Sequence, residues 1–385
     1  MLALLGALLA LGPAIPARAH DASAWGGLFR SHDAGLTWFQ ANQGRAVTGA
    51  LSVAVSPVDS SVLLLGTDRG LLTTRNGGLD WAEPDSDSLG REAVFAVAID
   101  SDGQRALAAT DRALFRSDDG DAWRPASVPI GASPARALQV GQAPGQVFLV
   151  GWRGLFRSDD WGGAWERIDQ GLAEAHATSL VVRPEGLLAA VDGGVWASLD
   201  GGRSWMARAD GLPPSAIGVL AADRAAARVV WAAGADRLFR SDDGGATWRA
   251  FGQPLPDART EMRALLADAA SGSLLVSSHR GLYATADGAA TWTLVTSNLP
   301  GHLEAGPLVR DPGRASTLYV GFSLTPYAEQ WARAAEGRTT GDVATLDLLG
   351  AGAFLLLLGL GAATCLRWLA RDRRRDSALL AESSR

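Results

Sequence analysis

The sequence predicts an all-β fold: a seven-bladed β-propeller of four-stranded antiparallel blades, closed by strands from both ends of the repeat array and followed by one C-terminal transmembrane helix. Three observations carry this. A phrase of the form Ser-x-Asp-x-Gly-x-Thr-Trp recurs seven times along the 385 residues. Its tryptophans, Trp38, Trp81, Trp123, Trp165, Trp205, Trp248 and Trp292, are spaced by 43, 42, 42, 40, 43 and 44 residues, the length of one four-stranded blade. The array also begins and ends in mid-blade.

The phrase is fullest at Ser241, Asp243, Gly245, Thr247 and Trp248, after an apolar Leu238 and Phe239. The other acidic or amide positions are Asp33, Asn76, Asp119, Asp160, Asp200 and Asp287. Each copy reads as a hairpin. A strand enters, the Asp bonds nearby backbone N–H groups, a Gly takes positive φ, and the returning strand begins by burying an indole. Three copies depart, at Asn76, at a residue missing near Gly120, and at Ala289, so distorted hairpins are expected there. The phrase resembles the Asp-box, or BNR repeat, of sialidases, sortilin-type receptors and photosystem II assembly-factor-like propellers. The resemblance spans about residues 24–323 and implies a fold; those families share no single activity.

Between the phrases, alternating apolar runs and turn residues supply two further strands per repeat, as at 50–56, 62–66 and 71–74 with turns at Pro57-Val58-Asp59 and Asp68-Arg69-Gly70. Upstream of Trp38 there is room only for the two strands of the phrase itself. Downstream of Trp292 lie two strands and no phrase, 305–310 and 317–322. These halves are expected to join as one blade, the C-terminal pair inside and the N-terminal pair outside, leaving no open edge. The propeller then occupies 20–323. Residues 324–345 read as a juxtamembrane linker in which 327–335 forms a short helix at the membrane surface.

Residues 1–19 read as a signal peptide: an apolar stretch, Pro13 and Pro16, then Ala17-Arg18-Ala19. Residues 346–370 read as a transmembrane helix whose 348–370 run holds one charge, Arg367, and at ~1.5 Å per residue is long enough for a ~30 Å hydrocarbon core. The basic tail 371–385, with Arg371, Arg373, Arg374 and Arg375, places the C-terminus in the cytoplasm and the propeller outside it, in the periplasm or beyond the cell. All 35 basic residues are Arg, and the net charge of −6 becomes about −9 on 20–345 alone. That balance argues against nucleic acid as a partner. The single Cys365 lies in the apolar run and offers no disulfide.

In a propeller the phrases lie on one face and the second-to-third turns lie on the other, around the channel mouth. These turns resemble one another: Asp68-Arg69, Asp111-Arg112, Trp152-Arg153, Asp192-Gly193, Asp236-Arg237 and His279-Arg280. Arg69, Arg112, Arg153, Arg237 and Arg280 form a candidate arginine ring for carboxylates of a partner protein or an anionic ligand. The competing reading pairs each Arg with an Asp beside it or in the next blade. Trp152 is a candidate anchor or sugar-stacking platform, or it packs over its blade. Trp161 replaces a small residue of its phrase and is expected to be exposed on the opposite face, whereas Trp196 and Trp231 sit inside strands and read as core.

An enzyme reading is poorly served. Sialidases, by resemblance, need an early Arg-Ile-Pro-like motif and a Glu-activated Tyr; the nearest fragment here is Arg183-Pro184, and Tyr283, Tyr319 and Tyr327 fall in an outer strand, a second strand and the linker. Asp68, Asp111, Asp192 and Asp236 are the carboxylates available for glycoside hydrolysis. All but Asp192 have an adjacent Arg, which is expected to hold the pKa low and disfavour a general acid. The five histidines show no ligand spacing, and the Asp-Asp-Gly-Gly runs lack the Glu of a calcium loop. His20 alone, if the mature chain begins there, is a copper(II) candidate. No cofactor is called for. The expected function is a non-catalytic protein-binding or assembly platform in the membrane, with a carbohydrate-binding or glycoside-hydrolase surface protein as the alternative.

Overall fold

The computed structural model describes residues 26–336, apart from short stretches at 86–88, 90, 173–175, 215–216, 224–225, 227, 235, 258–259 and 269–271. The expected signal peptide 1–19, His20, the span 346–370 and the tail 371–385 lie outside the described residues. Among the described residues no helix is long and apolar enough to cross a membrane.

Seven antiparallel sheets form the blades. Blade 1 pairs Phe39–Gln40 with Gly27–Ser31, then Leu318–Ser323, then Glu304–Arg310. The chain ends therefore close one blade, with Gly27 opposite Phe322 and Ser31 opposite Leu318, and the C-terminal pair lies inside as expected. The inner strands of blades 2 to 7 are Ala50–Val55, Val94–Ile99, Ala137–Val140, Ala177–Arg183, Ile217–Ala222 and Met262–Asp268. Each packs against the inner strand of the next blade, and Glu304–Arg310 touches both Met262–Asp268 and Ala50–Val55, so the ring is closed.

Blades 1 and 3 to 7 have four strands. Blade 2 has three, and its fourth is reduced to one bridge between Thr73 and Ala82. In other blades the third residue after the tryptophan donates its N–H back to the third strand, as Ala41 does to Leu28, Ile168 to Leu155 and Val295 to Leu282. In blade 2 that residue is Pro84, which has no N–H, and Leu71 bonds Leu89 instead.

Each repeat loop is built the same way. Ser31 Oγ donates to Asp33 Oδ1 at 2.8 Å while accepting the Gly35 N–H, and Asp33 in turn accepts the N–H and hydroxyl of Thr37. The indoles pack back onto the preceding blade, and four of them lock to its backbone: Trp81 Nε1 donates to the carbonyl of Ala41, Trp205 to Ile168, Trp248 to Arg208 and Trp292 to Gln253. Trp38 is fully buried and bonds its own loop at Gly35, while the Nε1 groups of Trp123 and Trp165 are buried without an acceptor. Arginines on or just after the third strands add a second latch: Arg30, Arg75 and Arg116 each donate to a carbonyl of the next loop, at Gly77, Asp119 and Asp160.

The expected distortion at the variant copies is corrected. Asn76 Oδ1 accepts the Thr74 hydroxyl and the Asp80 N–H as an aspartate would, because the loop needs only an acceptor oxygen. Ala289 adopts φ 64° and its N–H still reaches Thr285 Oγ1. The shortened copy keeps its bonds in a tighter register, Ser117 accepting from Gly120 and Asp119 from Asp121 and Ala122. Trp161 is also corrected: it is 0% exposed, at φ 58°, packed with Leu107 and Leu149 of the interface between blades 3 and 4. The equivalent positions Gly77, Gly201 and Gly244 face an arginine of the preceding blade, and Trp161 likewise faces Arg105, at 5.6 Å. The indole thus occupies the side of the loop on which Gly77, Gly201 and Gly244 face the preceding blade. Trp231 is buried as expected, and Trp196 is half-buried against its blade interface.

Candidate functional site

Antiparallel order fixes which groups share a face. An inner strand begins at the same face as the second-to-third turns, and the repeat loops lie at the far end. A helix, Tyr327–Ala335, follows the last strand of the ring. Residues three and four apart share a helix face, so Tyr327, Gln330 and Ala334 point one way and are buried. They bury against the starts of inner strands. The Tyr327 hydroxyl donates to the carbonyl of Ala50 at 2.5 Å, and the Tyr327 N–H donates to Glu304 at 2.9 Å. Gln330 Nε2 donates to Ser323 Oγ at 2.8 Å, and Trp331 stacks 4.5 Å from Phe95. Leu51 and Ala93 complete this apolar cluster. The helix therefore lies across the channel mouth, held by blades 1, 2 and 3 and, through Arg136 and Arg263, by blades 4 and 7. The expected short helix at 327–335 is present, and its buried side packs on the propeller.

Two arginines missed by the sequence reading sit beneath the helix. Arg263 pairs with Glu304 at 2.8 Å and lies 5.0 Å from the Tyr327 ring, and burial pushes the Tyr327 phenol far above its ordinary pKa. Arg136 lies 4.8 Å from the Trp152 ring and 5.3 Å from the Trp331 ring. Among the described residues it has no acidic partner, its Nε is buried without an acceptor, and burial pulls its pKa down. Trp152 is half-buried; its carbonyl meets His176 Nδ1 at 3.2 Å, and the two rings are 6.3 Å apart. The signal for this cluster was the apolar spacing of Tyr327, Trp331 and Ala334, which a short linker helix does not require.

The sequence-predicted arginines occupy their turns. Arg69, Arg112, Arg153 and Arg280 are exposed and Arg237 is half-buried at a strand start. Arg112 pairs with its neighbour Asp111 at 3.4 Å. Among the described residues, no ion pair joins Arg69, Arg153, Arg237 or Arg280 to another blade.

The carboxylates of these turns do not behave as expected. Burial pushes Asp68 up, although the Thr48 hydroxyl, Arg69 and the Gly49 N–H oppose it; Asp111 is likewise pushed up by burial against the pull of Arg112. The adjacent arginine is screened by water, whereas the carboxyl itself is desolvated. Asp68 accepts Thr48 Oγ1 at 2.6 Å and Gly49 N at 3.0 Å, and so ties the turn to the inner strand. Asp192 accepts the His176 N–H at 3.2 Å. Tyr283 donates to Asp257 at 2.7 Å, and burial, with Asp257, pushes its phenol up to about 12, the reverse of an activated nucleophile. No group of three or more His, Cys, Asp or Glu able to hold a metal occurs among the described residues.

No family model matches the chain, and no curated protein matches it in sequence. Solved structures do match in fold. A structure described as YCF48 bound to D1 peptide is similar over 72% of this chain and 95% of that one, with TM-score 0.55 and 16% identity. YCF48 from Cyanidioschyzon merolae gives 72% and 97%, TM-score 0.57 and 13% identity. The extracellular domain of a hybrid two-component system protein from B. thetaiotaomicron gives 72% and 37%, TM-score 0.56 and 15% identity. At this identity the likeness establishes a seven-bladed propeller.

Proposed function

We propose that the chain is a membrane-anchored, extracytoplasmic Asp-box propeller that acts as a non-catalytic protein-binding or assembly platform, with the channel mouth as its binding face. One observation carries the reading: the mouth already buries a polypeptide segment in cis, through an apolar cluster, backbone hydrogen bonds and a cation over an aromatic ring. A surface that holds one helix this way has the chemistry to hold another chain. The bound peptide in a YCF48 structure of the same fold supports a protein partner. Anchoring rests on the apolar span 346–370 and the arginines after it, export on residues 1–19. The repeat loops are assigned as Asp-boxes from their sequence and their shared Ser-Asp bonding.

Crosslinking pull-down from membranes tests this beside a glycan panel with a hydrolysis readout. The expected result is a protein partner captured by the native chain and lost when Arg69, Arg112, Arg153, Arg237 and Arg280 are changed to Ala in a still-folded protein. Glycan binding or cleavage without protein capture overturns the reading.

A further inference from the structure

We propose that Arg136, with Trp152 and the helix residue Trp331, forms a binding site for a single peptide carboxylate at the channel mouth. This deepens the platform reading and rests on it for the identity of the ligand as protein. The argument begins with an unbalanced charge. A cation partly withdrawn from water is costly unless it is paired, and half-buried Arg263 meets Glu304 at 2.8 Å. Arg136 has only rings, Trp152 at 4.8 Å and Trp331 at 5.3 Å. A guanidinium over ring faces keeps its in-plane N–H groups free, and those are the donors that match a carboxylate two at a time. Only Nε is sealed from solvent without a partner, so its terminal amino groups are reachable.

The neighbourhood favours one carboxylate over a polyanion. Arg136 is the guanidinium that faces both indoles, and the ectodomain around it is acidic, about −9 over 20–345. Among the described residues the mouth is uncovered on this side. The helix meets blades 1, 2, 3, 4 and 7, whereas a side chain built at Gly218, second in the inner strand of blade 6, would meet nothing within 4 Å. Thr178 of blade 5 and His176 beside Trp152 are exposed. A chain end entering over blades 5 and 6 would reach Arg136 with the two indoles as walls. The helix thus completes the site rather than filling it.

The test uses the full chain in detergent, labelled with 5-fluorotryptophan, with Trp152 and Trp331 assigned by substitution. N-acetyl-alanyl-alanine and its C-terminal amide are titrated at constant ionic strength by fluorine NMR, with an acetylated, amidated peptide carrying an internal Glu and 3′-sialyllactose as further arms. The expected result is saturable movement of both resonances with the free acid and none with the amide. Arg136→Gln should weaken the acid at least about tenfold, and Trp331→Leu by about threefold, while Arg136→Lys retains part of the binding because it keeps the charge and loses the two-point contact. Thermal melts matched to the native chain confirm that the variants are folded, and an unfolded Arg136→Gln leaves Arg136→Lys and Trp331→Leu to decide. Equal response to acid and amide, or unchanged affinity in all three variants, overturns the proposal. So does response to sialyllactose alone. Response to the internal Glu peptide supports it with a side-chain carboxylate as the source. Partner capture that is equal for native and Arg136→Gln protein sinks this site and leaves the platform standing; saturable acid binding with no captured partner does the reverse.

Discussion

Asp33 and Asp68 sit in hairpin loops at opposite faces of the ring, and they titrate in opposite directions. On the repeat-loop face the Thr37 hydroxyl and N–H hold Asp33 down to about 2, and the Thr291 N–H and hydroxyl do the same for Asp287. On the mouth face burial pushes Asp68 and Asp111 up. The first face uses charge to fasten its loops, within each hairpin and from one blade to the next. The second carries charge that is desolvated and incompletely paired, covered in part by a helix. Propeller stability and propeller recognition are thus separated along the axis, with the carboxylates shifted upward by burial, Asp68 and Asp111, at the mouth.

The sharpest way to test the separation is to damage one face and watch the other. Trp81→Ala removes an indole buried between blades 1 and 2, together with its bond to Ala41. Loss of about 3 to 5 kcal/mol of stability is expected by chemical denaturation. At the mouth, Gly306→Ala places a methyl group into the Tyr327 ring. Overpacking of this kind costs about 1 to 3 kcal/mol, and here it should fall on the helix. Hydrogen exchange should show lost protection at 327–335 with the blades unchanged; uniform loss across the blades would mean the helix is part of the ring's core.

The smallest effect is one of pH, and its sign differs between faces. Asp33 and Asp287 are depressed in the folded state, so the stability they add is present above their unfolded value near ~3.9 and is lost as pH falls towards about 2. Asp68 and Asp111 are raised, so their contribution is present below ~3.9 and is lost as pH rises through their folded values. Melting temperature followed from pH 7 down to pH 2 should therefore fall less in acid for Asp33→Asn with Asp287→Asn, whose loops persist as the Asn76 loop does. Asp68→Asn should instead flatten the rise between neutral and mildly acidic pH.

Much of this fold was legible because it is periodic. Tryptophan spacing gave the blade count, and the two half-blades at the ends gave the closure, since an incomplete repeat has only the other end to pair with. What was missed is aperiodic. Pro84 shortens one strand because it falls at the one position whose N–H that strand needs. Trp161 is buried because its loop position turns toward the preceding blade, as Gly77, Gly201 and Gly244 do, which a pattern made mostly of glycines at that position does not reveal. The site was half legible. The turn arginines stand where the repeats put them, but Arg136, Arg263 and the capping helix come together from blades 4 and 7 and from beyond the last repeat, a meeting set by ring closure. Local charge logic also misled: a neighbouring Arg lowers the pKa of Asp68 and of Asp111, but burial of the carboxyl outweighs it.

Site-specific photocrosslinking would test the division of faces most directly. A photoreactive residue placed at Arg153, in a mouth turn, is compared in membranes with one placed at Leu199, exposed at 63% on a repeat loop. A discrete crosslinked protein from position 153 and none from 199 is the predicted result. Crosslinks from 199 alone would put the working surface on the face assigned here to structure.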